Sequence, residues 1–474
     1  MSIERDGPRI VIIGAGMAGL VAGYELVQRG YRPTILEARP RVGGRVCTLR
    51  NLAHGLYAEA GAMRIPRVHQ RTLDYCRRFG LPLKPAVTAN PRALVCVGDR
   101  RMTAAAARQQ PPWLAGGAPH ELGRTHDELW QEATEEIREQ YLREGIAAID
   151  NLAAKYDSFS IRGFLKSQGW SEAAIEQYAV LTFCESSLNT GILQEFREMV
   201  GQAYEDVQEI AGGMDQLPLA FYQLLKGHIQ LGTEVLALEQ GADTVTIRAR
   251  TVARPVSIEA DHVICTLPFS VLRGVDARFS AGKRRAIRQL HYDPATKIFF
   301  QVRRPFWEHD DGIRGGTTVT DLPVRRIVYP SNLASTEERA VLLASYTWGQ
   351  DALRWSALDE PERTQRALGD VARIHPNVLS EFEAAFSYSW SSDRFAMGAY
   401  ALFEPDQYGT LHADIVAPEG RIQFAGEHCS RWPAWIEGAV ESGEAAAEAV
   451  HQRAAAETVR ALGRDWELSG SAAS

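Results

Sequence analysis

Residues 9–45 read RIVIIGAGMAGLVAGYELVQRGYRPTILEARPRVGGR. The apolar run Ile10–Ile13 enters the turn Gly14-Ala15-Gly16-Met17-Ala18-Gly19, and a helical pattern follows through Leu20, Val21, Tyr24, Leu26 and Val27. A second apolar run, Thr34–Leu36, ends at Glu37. Strand, glycine-rich turn, helix, strand and acid stand in the order that a dinucleotide-binding βαβ unit requires. Gly14 permits the tight turn, Gly16 lets a pyrophosphate approach the backbone, and Gly19 lets helix and strand pack closely. The phosphates would sit on the helix N-terminus, where unpaired N–H groups and the helix dipole favour anions. Glu37 stands where it would accept hydrogen bonds from an adenosine ribose, so FAD or NAD fits better than NADP. Next comes Arg39-Pro40-Arg41-Val42-Gly43-Gly44-Arg45. It reads either as a solvated basic loop or as a pyrophosphate holder, with Arg45 supplying bidentate donors.

The chain has 474 residues, 45% hydrophobic and 23% charged, enough for two to four domains with cores of their own. A net charge of −7 disfavours nucleic acid or an anionic membrane as the main partner. No N-terminal stretch has the basic-then-apolar form of a signal peptide, and no run approaches the ~18 apolar residues of a membrane span. A cytoplasmic enzyme is the expectation. Cys47, Cys76, Cys96, Cys184, Cys265 and Cys429 are scattered without CxxC or metal-like spacing, which suits reduced, mostly buried thiols and no metal site. The Ala-rich stretch Ala454–Ser474 is the one low-complexity segment, expected to fray or drape over the surface.

Further along, 68–80 reads as helix and Leu94–Val97 as a short strand closed by Gly98-Asp99. Gln110-Pro111-Pro112-Trp113 and Gly116–Pro119 read as loop, Glu121–Lys155 as charged helix and Phe159–Phe196 as continuing helix. Strands dominate Thr233–Leu267. Strands are also expected at Thr296–Val302, Ile327–Tyr329, Ala340–Tyr346 and Glu383–Trp390. A last βα pattern, Ile422–Ala425 followed by Gly426-Glu427 and a helix over Ala439–Gln452, repeats the strand–acid–helix order. The fold class expected is α/β (α+β), in discontinuous pieces. Residues 1–65, 212–280 and 415–460 form a Rossmann-like cofactor domain, and 66–103 and 281–414 a mixed-sheet substrate domain. Residues 104–211 form a helical insertion and 461–474 a flexible tail.

Several separated motifs, GAGMAGL (14–20), EARPRVGGR (37–45), EAGAMRIP (59–66), GGMDQLP (212–218), TKIFF (296–300), SYTWG (345–349), DRFAMGAY (393–400) and FAGEHCSRWPAWIEGAVESG (424–443), together resemble the flavin-containing amine oxidase superfamily. Within it the L-amino-acid oxidases are the most similar. The resemblance implies FAD contacts at Gly14, Gly16, Met17, Ala18, Gly19, Glu37, Ala38, Arg45, Gly61, Ala62, Met63, Arg64, Val235, Glu427, Trp435 and Ile436. In the covalent monoamine oxidases a Cys bonds the flavin in the motif aligned with Met397–Tyr400. Here the position is Ala399, which implies FAD without a covalent bond.

The same resemblance makes Arg64 the carboxylate-binding residue with Tyr346 as its partner, and Tyr400 and Trp435 the aromatic walls beside the substrate amine. Lys297 becomes the lysine that holds a water near the reacting flavin atom. Taken alone, Arg64 reads equally as a surface arginine, Tyr346 as a core tyrosine and Lys297 as an exposed lysine on a strand edge. An amino acid brings a carboxylate that needs a partner once desolvated, and Arg is suited to it. The implied reaction is oxidative deamination of L-amino acids by hydride transfer to FAD, giving a 2-oxo acid, ammonia and, with O2, H2O2. Decarboxylating amino-acid 2-monooxygenases and amine or polyamine oxidases share the scaffold and stay open as alternatives. So does the side chain preferred. Aromatics would suit Phe, Tyr, Trp or Leu, and Glu185 or Glu404 would recognise Arg or Lys only if they line the pocket. A homodimer is suggested by the resemblance alone.

Overall fold

In the computed structural model, which describes residues 7–110, 116–331 and 339–471, every side chain of Ile10–Ile13 is buried. The strand pairs in parallel with Thr34–Glu37 on one side and His262–Cys265 on the other. A parallel sheet is covered on both faces, so its central strands are apolar throughout rather than alternating. Ile422–Phe424 and Ile229–Leu231 complete five strands. Gly19 could carry no side chain, because a Cβ there would lie 1.9 Å from the Gly14 carbonyl oxygen. Gly14 itself has φ +102°, a conformation that favours glycine.

The chain divides into two compact units. The first comprises 1–44, 218–289 and 413–474, and holds this parallel sheet together with an antiparallel set, Glu234–Gln240, Val245–Arg250 and Pro255–Ala260. Within it Lys283 is buried at 1% exposure. Its ammonium donates to the Ile415 carbonyl at 2.6 Å and lies 3.7 Å from the Phe424 ring centre. Burial lowers its pKa to about 8.

The second unit comprises 45–217 and 290–412. Residues 45–65, expected with the cofactor domain, fall here, as does the helical segment 104–211. Its seven-stranded mixed sheet runs in the order Phe382–Ser389, Ala295–Val302, Ala340–Trp348, Arg326–Val328, Thr317–Thr320, Leu94–Val97, Arg100–Thr103. Side chains alternate between the faces of a strand. Ile298, Phe300, Val302, Ile327 and Leu342 join the core that includes Ala367, Val371 and Ile374 of the helix Glu360–Ile374. Phe299, Val328 and Leu343 face the other way.

Two expected helices differ from the structure. Phe159–Phe196 is not one helix. It breaks into Ile161–Ser167, Glu172–Thr182 and Leu193–Glu195, followed by a π-helical turn at Phe196–Val200. The C-terminal helix does not stop at Gln452 but spans Ile436–Ser471, because the Ala-rich segment supplies strong helix formers. Most of the expected loop Gln110–Trp113 lies outside the described residues. All six cysteines are free thiols, and among the described residues no His/Cys/Asp/Glu group could hold a metal ion and no helix is long and apolar enough to cross a membrane.

Two outcomes follow from the first unit. Gly19→Ala must push back the Gly14 carbonyl, so urea unfolding should show a loss of about 1–3 kcal/mol. Lys283 has a folded pKa below that of the unfolded chain, so the unfolded state binds more protons between about pH 8 and 10.5, and stability rises with pH there. Relative to Lys283→Met, the wild-type melting temperature should climb across that window, and a constant difference would refute the assignment.

Candidate active site

Ala295–Val302 is a central strand with all eight residues buried, and Lys297 is 2% exposed, so the reading of an exposed edge lysine is wrong. Its Nζ donates to the carbonyls of Glu59 at 2.8 Å and Gly61 at 2.7 Å and lies 3.5 Å from Met63 Sδ. Burial lowers its pKa to about 7, against the pull of Glu59. The same segment is fixed from the other side. The Ala62 and Gly61 amides donate to the carbonyls of Arg45 and Cys47, and a Cβ at Gly61 would lie 1.8 Å from the Arg45 oxygen. The backbone at 59–63 is therefore set to within small tolerances, and Arg64 follows directly from it.

Arg64 lines a cavity of about 580 Å³ together with Glu59, Met63, Phe299, Val328 and Leu343. Its Nε has no hydrogen-bond partner, and burial lowers the guanidinium pKa, with Glu209, Tyr204 and Tyr346 acting against that shift. The surface that Arg64 leaves exposed faces the cavity. Tyr346 stands opposite Lys297 in register. A bulge between Ile298 and Phe299 turns Tyr346 to the same face as Leu343 and Val328. The Lys297 ammonium sits 4.5 Å from the Tyr346 ring centre, and the Arg326 guanidinium 4.3 Å from it. The structure thus brings Arg64, Lys297 and Tyr346 together.

Tyr400 lies in the short strand Tyr400–Ala401, antiparallel to Tyr292–Asp293, and its hydroxyl donates to Asp293 Oδ2 at 3.2 Å. Tyr346 is among the groups that act on its phenol. Ala399 lies between Arg45, whose Nη1 donates to its carbonyl at 3.0 Å, and the Asp293 carbonyl, which accepts its amide at 2.8 Å. Neither acid considered for basic side chains lines the cavity. Glu185 is bound to Arg325 at 2.5 Å, and Glu404 accepts from Gln407.

In the first unit, the helix Met17–Gln28 starts at Gly16 with no side-chain cap, so its first amides have no acceptor within the helix. A Cβ at Gly16 would meet nothing within 4 Å, so the ground in front of those amides is open. Glu37 is buried, accepting the Ala15 amide on one oxygen and the Arg39 amide on the other, both at 2.8 Å. Burial raises its pKa despite these bonds. Val235, Met17, Ala18 and Ile436 are buried, Ala38 and Trp435 partly so, and Glu427 accepts the Ala434 amide at 2.9 Å. Unpaired amides, an open approach and a fixed acid suit a phosphate-bearing cofactor.

Arg326 was not anticipated. It lies two residues from Val328, on the same face of its strand, stacked on Tyr346, Trp348 and Phe183. In the sequence it is half of an Arg325-Arg326 doublet that reads as a solvated pair.

Residues 17–451 match the model of the flavin-containing amine oxidoreductase family, whose description names a flavin as the cofactor class. YobN of Bacillus subtilis (strain 168) is 38% identical, with 94% of each chain covered. The L-amino-acid oxidase of Notechis scutatus scutatus is 34% identical over 98% of this chain and 91% of its own. Solved structures of putrescine oxidase bound to putrescine (TM-score 0.76, 20% identity) and of cyclohexylamine oxidase from Brevibacterium oxydans IH-35A (0.75, 18%) each cover 94% of this chain and 99% of their own, and so share its fold. With most of its length matched by the family model and by relatives above 30% identity, the chain belongs to the flavin-containing amine oxidoreductase family.

Proposed function

We propose that this enzyme oxidises L-amino acids with FAD, held without a covalent bond, as the hydride acceptor. The observation that carries the reading is Arg64, a desolvated guanidinium that lines the cavity with its Nε unpartnered, beside Tyr346 and Lys297. Glu209 acts on Arg64 but leaves its Nε unpaired; a buried cation with unmet donors is costly unless a ligand supplies the charge, and a simple amine brings none. The substrate α-carboxylate does. Arg64 would take it in a bidentate pair, with the Tyr346 hydroxyl as a further donor. A bound flavin would supply the hydride acceptor for Cα–H and the route by which O2 is reduced to H2O2.

The chain's own residues position and shield. Tyr400, anchored on Asp293, gives the amine an apolar wall that excludes water. For Trp435 the same role rests on the family resemblance. Lys297 holds the 59–61 backbone, and its pKa of about 7 leaves it able to hold or release a proton through a water near neutral pH. The first-turn amides of Met17, Ala18 and Gly19, with Gly14 and Gly16 giving access, would take the pyrophosphate and Glu37 the ribose hydroxyls. Ala38, Val235, Glu427 and Ile436 are assigned further FAD contacts by resemblance, as are Arg45, Gly61, Ala62, Met63 and Arg64. Ala399 offers no thiol for a flavin bond, so acid precipitation should leave the yellow chromophore in the supernatant.

A peroxide assay over the twenty L- and D-amino acids should show turnover of L-forms, with a 2-oxo acid and ammonia as products. An amide with CO2 would instead establish the monooxygenase reaction. Arg64→Ala should raise KM by roughly 30–150-fold, as expected for losing a charged hydrogen-bonded pair, while the flavin is retained. Unchanged kinetics would remove Arg64 from the site.

A further inference from the structure

Arg326 is 8% exposed, and its Nε has no hydrogen-bond partner. No ion pair involves it among the described residues. Its guanidinium lies 4.0 Å from the Trp348 ring centre, 4.3 Å from that of Tyr346 and 4.5 Å from that of Phe183. These aromatic faces hold the group in place but satisfy none of its N–H donors. The Trp348 Nε1–H beside it is also buried without a partner. Guanidinium and indole N–H groups can only donate.

The neighbouring acids are already committed. Arg325, with φ 58°, turns away from Arg326 and pairs with Glu185 at 2.5 Å and Asp351 at 2.8 Å. Glu198 accepts from Gln194 Nε2 at 2.6 Å and from the Tyr204 hydroxyl at 2.7 Å. Phe183 supplies its ring from a left-handed backbone at φ 67°, a conformation a bulky residue rarely adopts and one found at functional sites. Burial, helped by the nearby Arg64 charge and opposed by Tyr346 and Tyr204, lowers the Arg326 pKa to about 10. Arg326 therefore lacks a counter-ion, while Arg64 has Glu209 acting on it without a hydrogen bond to its Nε.

We propose that Arg326, with Trp348 Nε1–H, binds the side-chain carboxylate of an acidic amino acid, so that the substrates are L-amino acids carrying a second carboxylate. The inference rests on the oxidase reading, in which Arg64 takes the α-carboxylate. A neutral amino acid brings one carboxylate and leaves Arg326 buried and unpaired. A dicarboxylate pairs both cations. Selectivity from an unmet buried polar group is large, and Met at 326 would replace the cation with an apolar chain of similar length.

The test uses the flavin-loaded protein and its Arg326→Met variant, with kcat/KM measured for L-glutamate, L-aspartate, L-leucine and L-phenylalanine. The expected result is preference for the acidic substrates by the wild type and a fall of at least about 100-fold in the acidic-to-neutral ratio in the variant. Equal losses for all four substrates would overturn the proposal, since Arg326 would then be structural or share the α-carboxylate. So would wild-type preference for the neutral substrates. If no amino acid reduces the flavin, the oxidase reading fails, and the Arg326 site is decided by thermal shift with glutarate against butyrate. Stabilisation by glutarate alone, lost in Arg326→Met, supports the site, and equal or absent shifts refute it.

Discussion

A protonated amine taken out of water must find acceptors or give up its proton. Lys297 meets both conditions partway. Its Nζ is satisfied by the carbonyls of Glu59 and Gly61, and its pKa is drawn down to about 7. Because the lysine stands on a fully buried interior strand, these bonds fasten a loop to the main sheet of the second unit. Met63 and Arg64 come immediately after the fastened carbonyls, so the position of the cavity's guanidinium is inherited from a lysine that need not touch a substrate to matter. Arg45 works from the other side, its carbonyl receiving the Ala62 amide while its side chain reaches the Ala399 carbonyl. That loop is held by backbone hydrogen bonds, which tolerate little displacement.

The first unit was legible because its signals are local. Four contiguous apolar residues, a turn that only glycines fit and an acid at the end of the next strand are all encoded within 37 positions of each other or fewer, and Glu37 stands where the βαβ order put it. The seven-stranded sheet was partly legible for the same reason. Alternation and β-branched content mark Ala295–Val302 and Ala340–Trp348, but Leu94–Val97 and Arg100–Thr103, which end the sheet beside Thr317–Thr320, come from some 200 residues earlier. The C-terminal segment misled because alanine repetition resembles low complexity, although alanine, glutamate and arginine are strong helix formers. Propensity was the better guide there.

Arg326 was not legible, and the reason is geometric. In the string DLPVRRIVYP the two arginines are chemically identical. They are separated only by the left-handed backbone at Arg325, which sends one to Glu185 and Asp351 and the other onto three aromatic rings. Strand parity then decides the face. Ile327 enters the core while Arg326 and Val328 take the opposite face. No single-sequence pattern carries that information, since it depends on a turn type and on a register fixed by the Val328–Leu343 pair.

The two desolvated guanidinium groups also bear on what the proposed site would select. Desolvating Arg64 and Arg326 costs free energy in the free protein; Glu209 offsets part of it at Arg64, and no carboxylate is among the groups acting on Arg326. Stacking on Trp348, Tyr346 and Phe183 keeps Arg326 from reaching out to water, so its orientation is set before any ligand arrives. An anion that enters meets donors already oriented and already stripped of water, and gains the most where their unmet charge is greatest. The apolar surface of Phe299, Val328 and Leu343 can accept many shapes at a cost of about 1–3 kcal/mol per misplaced methylene. A buried donor left unpaired discriminates more strongly than that.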